Sequence, residues 1–379
     1  IIATTVYDTI SNFTLVILSE NICYIFPMSV ILTKMIFAFF NENKIRKIVE
    51  EIYKPIMILK QSSDVGVLTI IQTAMSYQFF DSAIYIFLCI SISGTTFLLV
   101  DIERYELPIR GVFLINATVS PNYQVIFAIE TYAIIINCWW LYSLDTVLLG
   151  LVRWITIDLK ILQLNYRQCQ FFYEPRGTLM VTQEGFNAVK NYSFIEKLKN
   201  EDEIYNFVPF DEKQTNVTND SFLLRFCDCV KNHRRLIESL DNFNELFGLI
   251  LFAQIASDCL LTCIGLFQFS LTIKRKRKNN IFRDMVMLGS GLIHLGYWSV
   301  YGNLLINEHE RLSKTVYACG WENHNGRKIK PVVVFGLYQT LTPMVMKAGY
   351  FFVFGMETYL SVIQKAYSYF AILNTMMTN

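Results

Sequence analysis

The 379-residue chain is 53% hydrophobic and only 17% charged, whereas a soluble domain carries about 25% charged residues. Its formal net charge of +1 excludes the strongly basic balance of a nucleic-acid-binding protein. The apolar residues cluster into long runs, and that places the chain in the membrane class.

The chain opens at Ile1 inside an apolar stretch, without the charged head, apolar centre and small-residue cleavage site of a signal peptide. Residues 1–10 are expected to be the tail of a first span, most of which lies upstream. A membrane-crossing helix needs about 20 mostly apolar residues. Segments at about 20–40, 74–100, 125–150, 246–273, 281–306 and 346–373 meet this requirement. The predicted fold class is therefore all-α, a polytopic membrane protein with six complete spans and the end of a seventh. Charge falls between the spans, as in Asn41–Lys60 and Asn187–Ser221. The stretch from Gly185 to Asp220 is polar, acidic around Asn200–Glu203, and reads as a long loop.

Around that loop lie amphipathic helices too polar to face lipid. Phe226, Val230, Ile237, Leu240, Phe243 and Phe247 recur at helical spacing, with Asp228, Lys231, Arg234, Arg235 and Glu238 between them. The helix starting near Phe222 is thus expected to run in water and to enter the bilayer near Leu246. Arg153–Gln170 extends the span ending near Leu151 in the same way, and Glu308–Trp321 extends the one ending near Ile306. Such extensions either pack together outside the membrane or lie as independent juxtamembrane helices. Pro331 suits the first turn of a short helix ending near Leu341. Pro343 interrupts before a final membrane helix from Met346. The chain divides into 1–150, 151–245, 246–306, 307–345 and 346–379.

Several motifs carry a family resemblance. Gly302-Asn303-Leu304-Leu305, Glu308, Tyr317, Trp321 and Tyr367-Ser368-Tyr369-Phe370 follow one another in the C-terminal third. In that order they resemble the signature of insect odorant receptors. Glu20-Asn21 with Pro27 and Lys34 resembles the second span of hymenopteran-type members. Cys229-Val230-Lys231-Asn232-His233 with Phe243, Phe247, Gln254 and Cys263 is similar to their fifth. The resemblance covers the chain from about residue 20 onward.

It implies a seven-transmembrane-helix odorant receptor fold with a cytoplasmic N-terminus, an extracellular C-terminus and a cytoplasmic helical anchor region. The implied function is an odorant receptor subunit in the plasma membrane of an olfactory dendrite. Four subunits, usually a mixture with a shared co-receptor, would surround a cation pore lined by the last helix. The implied ligands are small volatile odorants bound between helices in the outer half of the membrane. No cofactor and no metal are expected.

Aligned on the family, Ile372 falls at the apolar gate position, with Leu373 beside it. Thr375 stands where the co-receptor carries a pore-lining glutamine. A ring of apolar side chains closes a narrow pore by dewetting. Lys365 and Glu357 lie in the same span, where ionisable groups face protein or water. They suit either a pore-adjacent role or an inter-helix contact. Candidates for an apolar pocket with few polar groups are Tyr24, Tyr85, Cys89, Tyr132, Trp139 and His294; ordinary helix packing is the commoner role for each such residue.

Other readings are weaker. Glu103-Arg104-Tyr105 resembles the ionic-lock triplet of rhodopsin-type G-protein-coupled receptors, but Asn-Pro-x-x-Tyr and Cys-Trp-x-Pro are absent. Thr358-Tyr359 resembles part of the last-span motif of gustatory receptors without the Gln-Phe that completes it. No phosphate-binding glycine loop is present, and His233, His294, His309 and His324 show no metal spacing, so no enzyme is expected. The nine cysteines lie mostly in apolar runs or in the extensions and read as buried thiols rather than as a disulfide framework.

The receptor-channel orientation puts Lys44, Arg46, Lys47, Lys54 and Lys60 inside, in agreement with the positive-inside rule. Lys274-Arg275-Lys276-Arg277-Lys278 would be outside, against it, either as a solvated loop or as an anion collector at the pore mouth. In this orientation the sequons at Asn12 and Asn116 are extracellular, and those at Asn191, Asn216 and Asn219 are cytoplasmic and unused. Glycosylation mapping of the full-length protein checks this: Asn116→Gln is expected to reduce a sugar-dependent gel shift. A joint Asn216→Gln and Asn219→Gln change is expected to leave it in place.

Overall fold

A computed structural model of the chain describes residues 1–98, 100, 105–113, 117, 119–179, 204, 206–215, 219–274, 278–324 and 326–376. Asn116, Asn191, Asn216, Glu103, Arg104 and Arg275–Arg277 lie outside the described residues, as does most of the predicted 185–220 loop. The main elements are α1 (Ile2–Ser11), α2 (Leu15–Phe40), α3 (Glu42–Leu59), α4 (Val65–Leu98), α5 (Asn122–Gln168), α6 (Phe222–Lys274), α7 (Lys278–Tyr317), α8 (Gly326–Gln339), β1 (Lys347–Ala348), β2 (Phe352–Val353) and α9 (Met356–Met376). Thr14 caps α2 by accepting from the Ile17 N–H at 3.2 Å. Asp64 opens α4 by accepting from the Gly66 and Val67 N–H groups at 2.9 and 3.3 Å, the bonds that an N-terminal cap supplies.

Among the described residues, α2, α4, α5 and α6 contain stretches long and apolar enough to cross a membrane. Their surfaces agree. Phe79, Phe80, Phe87 and Ile90 of α4 stand exposed, as do Val125, Ile129, Tyr132, Ile135 and Trp139 of α5. So continuous an apolar surface is a liability in water and the natural contact with lipid.

The same long helices then change solvent. Beyond Leu148, nearly every residue of α5 to Tyr166 is buried, including Arg153 and Asp158. Phe226, Val230, Leu240, Phe243 and Phe247 of α6, Leu305, Leu312 and Val316 of α7 and Val333 of α8 complete one core. Ile48, Ile52, Ile56 and Leu59 of α3 close it from the side. The three aqueous extensions expected from sequence therefore pack against each other and are not independent helices.

A buried ion cluster ties the chain before α6 to this core. Arg176 donates to Asp220 and to Asp228, both at 2.9 Å, and Arg225 donates to Asp220 at 2.7 Å. Arg225 also reaches the carbonyls of Gln168 and Phe171, each at 3.2 Å. The Phe207 ring lies under both guanidinium groups, with centroids at 4.9 and 5.2 Å, a cation–π arrangement. All nine cysteines are free thiols. Burial pushes the Cys319 thiol up to about 12, so it is a packing residue and not a nucleophile.

The C-terminal end corrects two expectations. The short helix starts at Gly326 and carries Pro331 within it, instead of starting at that proline. The last membrane helix starts at Met356, ten residues later than the apolar run suggests. The run from Met346 forms the antiparallel β1–β2 hairpin, pairing Lys347 with Val353 and Ala348 with Phe352. Gly349 turns there with φ of 62°, a conformation open chiefly to glycine. Its N–H donates to the Gly248 carbonyl of α6 at 2.7 Å. On the other side, a Cβ added to Gly302 of α7 would stand 2.7 Å from both the carbonyl carbon and the Cβ of Phe354. Only a glycine lets α7 approach the hairpin so closely.

Burial alone would raise the Asp220 carboxyl, but hydrogen bonds from Arg176 and Arg225 outweigh it and hold the group below the usual carboxylate range. A depressed folded-state value contributes stability above the unfolded value of about 4 and loses it as pH falls through the folded one. Asp220→Asn is therefore expected to lower thermal stability at neutral pH, by about 3–5 kcal/mol, because it leaves two buried guanidinium groups short of a partner. In an acid series the gap between the two proteins is expected to close below about pH 4.

Candidate functional site

Five helices enclose one cavity of about 140 Å³ inside the lipid-facing half of the bundle. Each turns a stripe with the i, i+3, i+4, i+7 spacing of a single helix face. On α2 these residues are Tyr24, Pro27, Met28 and Ile31; on α4 they are Tyr85, Leu88, Cys89 and Ile92. On α5 they are Ile134, Asn137, Cys138 and Leu141. Gln254, Ser257, Asp258 and Leu261 come from α6, and Met287, Ser290, Gly291 and His294 from α7. The walls are mainly apolar, and the polar groups gather where α6 and α7 meet.

Toward the loop end of the bundle a smaller, more polar recess of about 120 Å³ shares Cys23, Tyr24 and Met287 with the cavity. Leu107, Pro108 and Arg110 cover it. Several contacts hold that loop down: the Ile109 N–H donates to Glu130 at 3.1 Å, Tyr123 donates to the Glu106 carbonyl at 2.9 Å, the Val112 N–H donates to the Thr4 carbonyl at 3.3 Å, and Arg110 pairs with Asp8 at 3.0 Å. Asn21 donates to the same Asp8 at 3.0 Å. The polar recess lies between the covering loop and the apolar cavity.

At the other end the cavity rests on a buried ionic floor. Lys34 Nζ donates to Asp145 Oδ1 at 2.6 Å, with both side chains 2% exposed or less. The His294 ring bridges two acids, Nε2 to Asp145 Oδ2 at 2.7 Å and Nδ1 to Asp258 Oδ2 at 3.2 Å. Gln254 Nε2 donates to Asp258 Oδ1 at 2.9 Å. Lys34, Asp145, Asp258 and His294 sum to zero charge when the imidazole carries a proton on each nitrogen, the form in which both N–H groups donate to carboxylate oxygens. Four helices are joined by this one network. The Tyr85 ring stands edge-on to His294, with centroids 6.1 Å apart, and also packs on Tyr142 and Tyr297.

Of the sequence candidates, Tyr24, Tyr85, Cys89 and His294 meet at this cavity. Tyr132 and Trp139 do not: they are 68% and 65% exposed. They sit seven residues apart on the stripe of α5 opposite Ile134 and Leu141, so the helix phase turns them toward lipid. Asn12 is exposed in the turn after α1, where its side chain donates to Asp8 at 2.9 Å. Ile372 lies on α9 with 56% of its surface exposed, in line with the exposed Tyr369, and Leu373 follows it in the same helix. The Thr375 hydroxyl donates to the Ile372 carbonyl at 2.7 Å. Glu357 and Lys365 are exposed on α9.

Asp145, Asp258 and Gln254 were not among the pocket candidates. The signal for them was present, because an ionisable residue inside an apolar span faces protein or a cavity and needs a partner. Lys34, Asp145, Asp258 and His294 all fit that description.

Three comparisons bear on this arrangement. A family model described as 7tm Odorant receptor matches residues 14–367. Odorant receptor 65a of Drosophila melanogaster is 27% identical over 154 residues, which are 41% of this chain and 36% of that protein. Odorant receptor Or2 of Anopheles gambiae is 22% identical over 38% of each chain. These alignments span little more than a third of either relative. Among solved structures, the insect olfactory receptor OR5 from Machilis hrabei in complex with eugenol superposes with a TM-score of 0.74 at 12% identity, covering 99% of this chain and 86% of that one. The fold is therefore the same although few residues are shared.

The ionic floor makes a direct prediction. Asp145→Asn removes a carboxylate that faces two buried cationic partners and is expected to lower thermal stability of the purified protein by about 3–5 kcal/mol. Adding Lys34→Met is expected to recover part of that loss, so the double variant loses less than the two single losses combined. Additive losses would show that the pair is not coupled.

Proposed function

Because the chain belongs to the 7tm odorant receptor family, we propose that it binds small volatile molecules in the cavity between α2, α4, α5, α6 and α7 and thereby gates a cation pore. The observation that carries the reading is the cavity itself. It is mainly apolar-walled, adjoins the recess lined by the 105–113 loop and is closed below by paired charges, which suits small, mostly apolar molecules. Eugenol is the ligand named with the Machilis hrabei structure, and a molecule of that class suits the mainly apolar lining here.

The gate is assigned to Ile372 and Leu373, with Thr375 near the mouth. The exposed surface of α9 supports a subunit interface around a pore, because Tyr369 and Ile372 stand three residues apart on one face with more than half of each side chain exposed. A heterotetramer with the family's co-receptor, a plasma-membrane location in an olfactory dendrite and a cytoplasmic anchor over 151–245 and 307–345 complete the proposal. Residues 1–150 and 246–306 then form the binding bundle, and 346–379 the pore segment. Odorant binding shifts a closed–open equilibrium, and any such shift is limited by the ligand's difference in affinity for the two states.

Co-expression with the co-receptor in a cell without olfactory signalling tests this. Odorant-evoked currents are expected to persist when G-protein signalling is blocked; their loss would favour a rhodopsin-type mechanism instead. Cys89→Phe fills the cavity and is expected to raise the half-maximal concentration of an activating odorant by at least about tenfold while the protein still reaches the surface. Unchanged responses would move the binding site elsewhere.

A further inference from the structure

The floor of the cavity is a satisfied ion network with one exception. Gln254 is 5% exposed, and its amide is oriented by Asp258, whose carboxylate requires a donor and so receives Nε2 at 2.9 Å. That leaves Oε1, a buried acceptor of a cavity-lining residue, with no hydrogen-bond partner among the described residues. The hydroxyl of Tyr85, a residue 3% exposed, is a second buried polar atom without a partner among them. Both residues flank His294: Gln254 Nε2 lies 3.4 Å from its Nδ1, and the Tyr85 ring stands edge-on to it. The two residues with orphan groups therefore both belong to the His294 end of a mainly apolar cavity.

A buried polar atom without a partner is costly, and a ligand that supplies the missing partner recovers that cost. From this we propose that the cavity selects small, mostly apolar molecules bearing one hydroxyl group, an alcohol or a phenol. Their O–H donates to Gln254 Oε1 while their oxygen accepts from the Tyr85 hydroxyl. The acceptor at Gln254 sets the rule. Lys34, His294 and the two aspartates already use one another, so the floor offers a ligand neither a free charge to pair with nor a free carboxylate. An ether of the same shape can accept from Tyr85 but gives Gln254 nothing. Sites built to bond a hydroxyl reject its capped analogue because their own buried groups are then stranded.

This inference rests on the cavity being the odorant site, and the experiment separates the two. The purified full-length receptor with its co-receptor is titrated with aliphatic alcohols and phenols, each paired with its own methyl ether. Binding is read as thermal stabilisation, so gating is not required. Alcohols are expected to reach half-maximal stabilisation at about tenfold lower concentration than their ethers. Gln254→Leu is expected to bring each alcohol to the value of its ether, and Tyr85→Phe to weaken both members of a pair together. Equal alcohol and ether values in the unaltered protein, or no stabilisation by any alcohol, overturn the proposal without relying on a variant that folds. A ratio that survives Gln254→Leu overturns it as well. If Cys89→Phe leaves alcohol binding intact, the cavity reading itself has failed. If Cys89→Phe abolishes binding but the ratio in the unaltered protein is one, only the hydroxyl rule has.

Discussion

The arrangement of the bundle depends on two carboxylates, an ammonium and an imidazole that cannot be left alone in lipid. A charged side chain at membrane depth costs several kcal/mol unless it is paired. Lys34, Asp145, Asp258 and His294 come from four different helices. Their pairing fixes the rotation of α2, α5, α6 and α7 about their own axes, because any one of them turned by a third of a revolution would strand a charge. Once those rotations are set, the stripes above the network must face one another, and the cavity is the space left between them. The network thus defines the site without taking any part in chemistry.

A second constraint is the change of solvent along single helices. The part of α5 around Trp139 is apolar outside, whereas the part around Asp158 is packed on every side. One continuous helix therefore transmits position between two environments held together by different forces. In the aqueous bundle these are apolar burial and the Arg176–Asp220–Arg225 cluster. In the membrane, where lipid is as apolar as the side chains, they are close packing and the ionic floor.

Much of this was legible in the sequence. The helix starting at Phe222, the aqueous extensions of α5, α6 and α7, and four of the pocket residues all follow from periodicity, hydropathy and the family's motifs. Aromatic character alone groups Tyr132 and Trp139 with Tyr24 and Tyr85, although Glu130, Asn137 and Asp145 mark the opposite face of α5 as the one turned inward. Apolar composition by itself carries no phase information. The start of α9 was missed for a related reason: Met346–Val353 is as apolar as a helix, and what turns it into a hairpin is Gly349 meeting the Gly248 carbonyl, a tertiary bond that no local window contains. The ionic floor was readable in principle from four ionisable residues in apolar runs. Which of them pair depended on the packing.

The close approach of Gly302 to Phe354 gives the hairpin a mechanical meaning. Bonded to α6 through Gly349 and wedged against α7 at Phe354, it is a rigid mount, and α9 projects from it as a cantilever. From Met356 to Ile372 the arm is about 24 Å long at 1.5 Å per residue. A tilt of about 5° at the mount then carries the far end by about 2 Å, a displacement comparable to the radius of a side chain. A small rearrangement of α6 or α7 about an occupied cavity therefore needs no bending of α9 to be felt at its tip; the geometry multiplies it.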